Sequence, residues 1–424
     1  MGKANEPVIR VMLLLLAFGG HWNAIAADSA PAGFATVMPT AISESSDEGI
    51  RFSCEPTRLK QVRTEMPKYL TSLGIAPDQV VTKADRAGGT LVFTLNTPMD
   101  DVDTLGLKNR PEFAIRDAAV RLPAKNGKTR RVVTVSKKEI LLALLQHGRL
   151  TELSGGNCDL KALKDLVGIR QNIVAWSEDL NWIWPDGDSA EWNAKYWHRG
   201  TPLLGVALAA AFGDAFRNQN KYSIGCYTAT KLVVVQGTLD YYHRVSKDRS
   251  KAGLVELRLI IDREPLVDVE PGRMWSFEKD ADPGDLARPG KIAQIQYGIA
   301  SRNFVPGDWV YLLNTDPVSS RKTGYEGSNA IYLGGNKFSD YYNDNKHAYT
   351  YEQKLNEVHQ WRHGVFNRVR DASKIQRLSA EEFERLGRPP PEGGLVMDFR
   401  VFPYLLAGSD EPGHSAMPTT TGRR

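Results

Sequence analysis

Residues 221–235, KYSIGCYTATKLVVV, place a single cysteine between a glycine and an apolar run that is typical of a buried helix. If a helix begins at Cys226, the positive end of its dipole favours a thiolate over a thiol there. The N–H groups of the same first turn can hold the oxyanion of a tetrahedral intermediate. Cys226 is therefore a candidate nucleophile. A buried structural thiol and one half of a disulfide are the other interpretations of the same pattern.

The cysteine count bears on that choice, because the chain has three cysteines and an odd number leaves one outside any single bridge. Cys54 and Cys158 each lie in a polar, loop-like context, RFSCEP and GGNCDL, in which a disulfide is easily accommodated. Cys226 instead begins an apolar segment. We therefore expect Cys54 and Cys158 to pair and Cys226 to remain a thiol.

Residues 1–26 are predicted to be a secretory signal peptide, because basic residues, an apolar run and a cleavage site follow one another in that order. Lys3 and Arg10 precede the apolar run VMLLLLAFGG, and Ala-Ile-Ala at 24–26 supplies an A-x-A cleavage site. The run is too short to span a bilayer as a mature helix, and no later stretch is apolar enough, so no stable membrane insertion is expected. The mature protein is expected to begin near Ala27 and to be periplasmic or secreted.

Composition narrows the class of partner. The net charge is +4 over 424 residues, 25% of the residues are charged, and no long basic run occurs. These values are typical of an ordinary globular protein and give no support to nucleic-acid binding. The length allows two domains.

The pattern divides the mature chain into four parts. Residues 27–48, rich in Ala, Ser, Thr and Pro, are predicted to be a flexible lead-in. Residues 49–153 are predicted to form a small α/β unit of unknown role, and residues 157–364 a second, mixed unit. Residues 365–424 form a C-terminal extension with a disordered end. Helices followed by a series of strands predict the α+β class.

Local patterns predict the elements of both units. In the first unit we expect a helix that ends at Gly74, strands TLVFTLN and RRVVTVS, and a helix EILLALLQHG between a capping box at Ser136 and Gly148. In the second unit we expect helices over 160–180, 202–216, 226–245 and 351–363, with strands VELRLIID, KIAQIQYGIA, DWVYLLN and NAIYLGG. The run LVMDFRVFPYLL predicts one more strand in the extension.

Six pieces of the second unit, taken in order, resemble one known family. They are IRQNIVAW, KYW, GVALAAAFGDAFRNQNKYSIGCYTAT, LRLIID, VPGDWVYLLN and GSNAIYLGG. The segment 163–362 that contains them resembles the bacterial protein-glutamine gamma-glutamyltransferases, the spore-coat type of transglutaminase. The resemblance implies a papain-like α+β core in which Cys226 is the nucleophile.

The resemblance also implies the reaction. The cysteine would attack the carboxamide of a protein glutamine, expel ammonia and form a thioester, which a lysine amine would resolve to an isopeptide bond. The implied partners are proteins with accessible Gln and Lys side chains. Neither step requires a cofactor or a metal, and no calcium-binding loop is visible in the sequence.

The positions around the nucleophile depart from the family pattern. The family's acidic residue before the nucleophile is Gly225 here, its catalytic glutamate falls on Ser328, and a downstream histidine falls on Tyr341. Glu326 lies two residues before Ser328, and residues two apart share a face of an extended strand. We therefore expect Glu326 to act as the general base, with His347 as the second candidate.

Five tryptophans are close together in the sequence and have two interpretations. They form either core or the wall of an aromatic channel that favours an amine over water. They are Trp176, Trp182, Trp184, Trp192 and Trp197.

His359 and His363 are four residues apart on a predicted helix, a spacing that can hold zinc. Gln360 follows the first histidine, where a zinc peptidase requires glutamate. A solvated helix face is the favoured interpretation.

Three functions are compatible with these patterns. The leading hypothesis is a cysteine acyltransferase that crosslinks proteins. The alternatives are a papain-like cell-wall amidase or peptidase and a catalytically silent binding module of the cell envelope. The replaced acidic residue, glutamate and histidine favour the silent module, whereas the intact context of Cys226 favours an enzyme.

Overall fold

The computed structural model describes residues 48–85, 89–184, 189–261, 292–322, 324–339, 348–364 and 372–406. All of these residues fall in one unit, Asp47–Arg424. The predicted signal peptide, nearly all of the lead-in and the predicted disordered end lie outside the described residues. The boundary between the two folded units stays a prediction. None of the helices in the described ranges is both long and apolar enough to cross a bilayer.

The first part of the chain builds a four-stranded mixed sheet flanked by two helices. Its elements are β1 (Gly49–Ser53), α1 (Pro56–Ser72), β2 (Val80–Ala84), β3 (Thr90–Leu95), β4 (Ala118–Pro123), β5 (Thr129–Thr134), α2 (Lys137–Leu145) and β6 (Leu150–Ser154). The strand order is β2-β3-β1-β6, with β1 parallel to β6 and the other pairs antiparallel. Strands β4 and β5 form a separate antiparallel hairpin. The predicted strands TLVFTLN and RRVVTVS are β3 and β5, and α1 ends just before Gly74, whose φ is +73°.

Helix α2 has only half of the predicted capping box. The Ser136 hydroxyl accepts a hydrogen bond from the N–H of Glu139, as expected. The Glu139 carboxylate does not return to Ser136; it accepts from the N–H of Gly335 in the second part of the chain. The carboxylate therefore joins two distant segments instead of closing its own helix.

The second part contains a larger sheet and the remaining helices. Its elements are α3 (Leu160–Glu178), β7 (Trp197–His198), β8 (Thr201–Pro202), α4 (Leu208–Arg217), α5 (Cys226–Asp240), α6 (Arg249–Ile261), β9 (Ala293–Gln296), β10 (Trp309–Leu313), β11 (Gly327–Gly334), β12 (Lys337–Ser339), β13 (Ala348–Thr350), α7 (Tyr351–His359), α8 (Trp361–Gly364), α9 (Ala380–Leu386) and β14 (Arg400–Pro403). The antiparallel sheet has the order β13-β12-β11-β10-β14-β9. A buried helix packed on an antiparallel sheet confirms the α+β class and is consistent with a papain-like core.

Strand β14 comes from the predicted C-terminal extension. It pairs with β9 through Arg400 and Gln296 and with β10 through Val401 and Trp309. The extension therefore completes the main sheet.

Helix α5 lies at the centre of the molecule, since every residue from Cys226 to Asp240 is buried. It approaches α3 so closely that a Cβ on Gly237 would lie 2.4 Å from Cγ1 of Ile173. Polar groups in this contact are paired: Asn172 donates to the Gly237 carbonyl, and Trp176 Nε1 donates to Asp240. The long apolar run in the sequence is thus a helix enclosed on all sides, as predicted, and it continues into a π-helical turn, Tyr241–Val245.

The prediction of a strand over VELRLIID was wrong, and with it the match of LRLIID to a core strand. This segment belongs to helix α6, because Ala252, Val255 and Leu259 recur at helical spacing and are all buried. The helix begins after Asp248, whose carboxylate accepts from the N–H of Lys251. The apolar residues near its end, taken alone, have the pattern of a buried strand. The helical spacing is visible only when the preceding turns are included.

Two predicted helices have different bounds. The helix expected over 202–216 begins at Leu208, because Pro202 pairs with Trp197 in a two-residue strand. The helix expected over 351–363 is divided at Gln360 into α7 and α8.

The predicted disulfide is present in the structure. Cys54 and Cys158 are bonded, with their Cα atoms 6.1 Å apart, and Cys226 remains a buried thiol.

Candidate active site

Cys226 is the first residue of α5, as the sequence predicts. Gly225 precedes it in an extended conformation, with φ −68° and ψ 159°. The carbonyl of Gly225 accepts the first bond of the helix, from the N–H of Ala229 at 2.9 Å. The Cys226 side chain is 6% exposed. The sulfur therefore lies where the N–H groups of the first turn point out of the helix.

The segment just before the cysteine is held from both sides by backbone pairing. Ser223 exchanges hydrogen bonds with Glu191, with N···O distances of 2.8 and 3.1 Å, and Ile224 donates to the Ile183 carbonyl at 2.9 Å. A chain paired on two sides cannot easily shift along its length. The start of α5 is therefore fixed in position, while Ile183 itself is 52% exposed beside it.

A buried asparagine on the facing strand contacts the sulfur. Asn329, on β11, is 4% exposed and places its Nδ2 3.7 Å from Sγ of Cys226. Trp309, on β10, donates its indole N–H to Oδ1 of the same amide at 2.9 Å. Because an indole N–H can only donate, it fixes the amide oxygen and directs the NH₂ group at the sulfur. The site thus holds a donor already oriented toward Cys226.

The beginning of β10 is anchored by a buried ion network. Asp308, which precedes Trp309, is fully buried and pairs with Arg149 at 2.5 Å and with Arg170 at 2.8 Å. Burial alone would raise the pKa of Asp308, but the charges of the two guanidinium groups hold it below its usual range. The side chain of Asp308 also accepts from the N–H of Val305. The ion pairs of Asp308 therefore fix the start of β10, and with it Trp309, against α3 and the segment before β6.

The pleat of β11 decides which residues face the cysteine. Ile331 packs with the cluster that contains α5, whereas Ala330 and Tyr332 belong to the cluster on the opposite face of the sheet. Asn329 shares the face of Ile331, and Ser328 lies on the other face. The Ser328 hydroxyl is fully buried and has no hydrogen-bond partner among the residues that the structure describes. The position at which the resemblance implied the family's glutamate therefore points away from Cys226.

Glu326 lies immediately before β11. Its carboxylate accepts from the N–H of Gly324 at 2.8 Å, and its backbone carbonyl continues the ladder to the N–H of Asn314. Burial raises the pKa of this carboxyl above its usual range. Glu326 is therefore a partly enclosed carboxylate with a tendency to hold a proton.

Tyr311 connects the environments of Glu326 and Cys226. Burial is the main cause that raises the pKa of its phenol, and the charges of Glu326 and Cys226 raise it further. Its ring packs over Gly327, where a Cβ would lie 2.4 Å from the phenol oxygen. The phenol is thus within electrostatic reach of both candidate groups, and only glycine leaves room for it.

The remaining sequence-predicted positions contribute less. His347 and Tyr341 lie outside the described residues. His359 ends α7 and His363 lies in α8, so the two are not on one continuous helix. Within the described ranges no group of three or more His, Cys, Asp or Glu side chains is arranged to hold a metal ion.

Four of the five tryptophans belong to the core. Trp176, Trp182, Trp192 and Trp197 make ring contacts within one aromatic cluster that includes Phe212, Phe216 and Tyr222. Trp184 is separate and contacts Tyr325, the residue before Glu326, at a centroid distance of 5.2 Å.

Sequence analysis missed Asn329, Trp309 and Tyr311. One signal was available: an asparagine inside an apolar strand, as in SNAIYL, must find a partner when the strand is buried. Which face it occupies depends on strand register, which this sequence does not specify locally.

Three comparisons with known proteins bear on the family of this chain. The sequence model of a family described as protein-glutamine gamma-glutamyltransferase matches residues 157–386, more than half of the chain. Among solved structures, a transglutaminase from Geobacillus stearothermophilus, without its C-terminal extension, is similar at 16% identity and a TM-score of 0.36. That match covers 58% of this chain and 95% of the other. No curated protein matches the chain.

Proposed function

Because the chain belongs to the protein-glutamine gamma-glutamyltransferase family, we propose that it is an active transglutaminase whose nucleophile is Cys226. The observation that carries the proposal is the oriented amide of Asn329, which directs a donor at a cysteine on the first turn of a buried helix. A silent binding module would have no need of a polar donor buried against a sulfur. The family does not favour the cell-wall amidase or peptidase.

The first half-reaction forms the thioester. The N–H groups of the first turn of α5 and the Asn329 amide stabilise negative charge on Sγ. The sulfur attacks the side-chain carbonyl carbon of a protein glutamine, and the same N–H groups stabilise the oxyanion. The C–N bond then breaks, and the leaving NH₂ group takes the proton that the thiol gave up and departs as ammonia.

The second half-reaction forms the isopeptide bond. A lysine amine attacks the thioester carbonyl, the C–S bond breaks, and the proton lost by the amine returns to the sulfur. Glu326 is proposed to hold the proton in both halves, through Tyr311, because burial raises the pKa of its carboxyl above the usual range. The enclosed position of Cys226 limits access of water, which would otherwise hydrolyse the thioester.

The test follows ammonia release from a glutamine peptide, with and without a primary amine. Glu326→Gln should lower kcat about 10²- to 10⁴-fold, the usual contribution of a general base. The base must be deprotonated, so activity should fall as the pH drops through its raised pKa, and this acid limb should disappear in Glu326→Gln. Cys226→Ala should be inactive. Glu112→Gln, an exposed carboxylate on another surface, is the matched control and should behave like the wild type.

Other outcomes assign the chain differently. Ammonia release without amine incorporation would indicate a deamidase, and cleavage of wall peptides without either would support the amidase or peptidase. Equal behaviour of the wild type and Cys226→Ala in every assay would contradict an enzyme of any kind.

We further propose that the protein is exported. The predicted signal peptide motivates this, and the Cys54–Cys158 bond supports it, because disulfides persist in oxidising compartments. The intact mass of protein from the producing cell should show an N-terminus near Ala27 and one alkylatable thiol. A chain that keeps its first 26 residues and has three alkylatable thiols would contradict export.

A further inference from the structure

The β4–β5 hairpin has an unusual charge. Residues 118–134 contain five cationic side chains and no carboxylate: Arg121, Lys125, Lys128, Arg130 and Arg131. The whole chain has a net charge of +4, so the remainder carries −1 (+4 less +5). The cations are spaced along the sequence and form no continuous run, and the hairpin brings them together.

Two of the cations oppose each other without compensation. Arg121 and Arg131 are directly paired across the strands, and both are exposed. Like charges in this position destabilise a hairpin. Arg130 pairs with Asp179, but no carboxylate in the described part of the chain lies within 4.0 Å of either Arg121 or Arg131. Val133, on the same face, is 53% exposed. A pairing that weakens the fold indicates a role outside folding.

The hairpin tip forms one wall of a groove. A groove of about 390 Å³ is lined by residues 123–129 of the tip and by Arg217 and Asn218 at the end of α4. Lys125 reaches across to Oδ1 of Asn220 at 3.5 Å. The opposite wall is therefore the segment that leads through Tyr222 to Cys226.

We propose that the exposed cations of the hairpin, Arg121, Lys125, Lys128 and Arg131, together with Arg217 across the groove, form a docking face for an acidic segment of the protein substrate. The inference rests on the proposed function, which requires a protein to present its glutamine or lysine. The charge favours an anionic partner. Residues 118–134 contain no aromatic side chain on which bases can stack, so an acidic polypeptide is favoured over a single-stranded nucleic acid.

Docking of this kind acts on substrate capture. Exposed charges change association and its salt dependence more than the chemical step. Substrates with an acidic segment should therefore have a lower KM at unchanged kcat, and salt should remove the difference.

The experiment compares two glutamine peptides of equal length, one with an acidic tail and one with a neutral tail, on the full chain. In the double variant Arg121→Gln/Arg131→Gln, KM for the acidic peptide should rise about threefold to tenfold. Its kcat should not change, and neither should either parameter for the neutral peptide. The control is Lys60→Gln/Arg63→Gln, an equal loss of exposed charge on α1, which should leave both peptides unaffected.

A single variant separates docking from folding. Arg121→Glu converts the like-charged pair into an opposite-charged one, so the thermal midpoint should rise while KM for the acidic peptide also rises. Loss of affinity in a more stable protein cannot result from misfolding. Unchanged KM in both variants, or equal change for both peptides, would overturn the proposal.

Direct binding distinguishes this proposal from the proposed function. The Cys226→Ala protein should bind a fluorescently labelled form of the acidic-tailed peptide. Adding Arg121→Gln and Arg131→Gln to this protein should weaken that binding. If no peptide is turned over but this binding persists, the enzyme proposal fails and the docking face stands. If anionic vesicles or single-stranded DNA bind through these arginines and the acidic peptide does not, the docking proposal is overturned.

Discussion

Asn329 acts directly on Cys226, because its amide donates to the sulfur and is fixed by Trp309. A hydrogen bond to a charged group contributes about 1.5–3 kcal/mol. We therefore predict that Asn329→Ala slows alkylation of Cys226 by iodoacetamide at neutral pH about tenfold. Since the other two cysteines form a disulfide, the measured rate reports Cys226 alone.

Ser328→Ala is the matched control for that prediction. It changes the adjacent residue of the same strand, equally buried, but on the face away from the cysteine. Its hydroxyl has no hydrogen-bond partner in the described ranges, so its loss should leave the alkylation rate unchanged. A Trp309→Phe variant should slow alkylation less than Asn329→Ala, because the amide then remains but is free to rotate. Equal rates in Asn329→Ala and the wild type would show that the contact does not affect the sulfur.

The sequence predicts the site only in part. Cys226 was predicted correctly as the start of a helix, because a glycine before an apolar run is a local signal. Asn329 and Tyr311 were missed because their orientation depends on the register Leu313–Gly327 between β10 and β11. A slip of one residue would exchange Asn329 for Ser328. The roles of Glu326 and His347 stay predictions.

At the scale of elements, the contact between α3 and α5 positions the cysteine. Gly237 allows it: a Cβ there would lie 2.7 Å from Cα and 2.9 Å from N of Ile173. Because these are backbone atoms, α5 itself must shift. We predict that Gly237→Ala lowers the free energy of unfolding by about 1–3 kcal/mol and slows alkylation of Cys226. Urea unfolding and the iodoacetamide rate measure the two effects.

Gly253→Ala on α6 provides the opposite case. No atom lies within 4 Å of the added Cβ, and Gly253 is exposed. The substitution should stabilise the protein by about 0.5–1 kcal/mol through helix propensity and leave alkylation unchanged. If both glycine variants gave the same result, close helix packing would not be what fixes α5.

Elements were predictable where one local pattern dominates. Helix α3, enclosed α5 and strands β3, β10 and β11 follow from continuous patterns. Helix α6 was not predicted, because the apolar residues near its end are branched and adjacent, and the deciding residue, Ala252, lies one turn before Val255, outside the run taken as a strand. Strand β14 was predicted, but its place between β9 and β10 was not, since no local signal specifies a partner so distant in the sequence.

At the scale of the whole molecule, buried ionisable side chains join the first part of the chain to the six-stranded sheet. Asp308 is held by Arg149, which precedes β6, and by Arg170 of α3. Glu139 of α2 accepts from Gly335, just after β11. Because β10 and β11 are antiparallel, both contacts lie at the same end of this strand pair, where β10 begins and β11 ends. The unit of unknown role therefore supports the strands that carry Trp309 and Asn329.

Glu139 makes this support dependent on pH. It is 3% exposed, and burial raises its pKa to about 7, although the Gly335 N–H and the charge of Lys108 oppose the shift. A raised pKa in the folded state stabilises the fold below the ordinary pKa of glutamate. That stability is lost as the pH rises through 7, and the loss amounts to about 3 kcal/mol.

Replacing the carboxyl by an amide should remove this dependence. The amide would stay neutral at every pH and still accept from Gly335, so we predict that Glu139→Gln is as stable as the wild type at pH 5 and more stable at pH 8. Urea unfolding at the two pH values measures the difference, with the exposed Glu112→Gln expected to follow the wild type. The two proteins could instead differ in free energy of unfolding by the same amount at both pH values. That result would mean that Glu139 stays charged in the folded protein. In that case the link between α2 and the β11 turn would be a hydrogen bond from the Gly335 N–H to a carboxylate that is charged at both pH values, and the stability of the six-stranded sheet would not weaken as the pH rises.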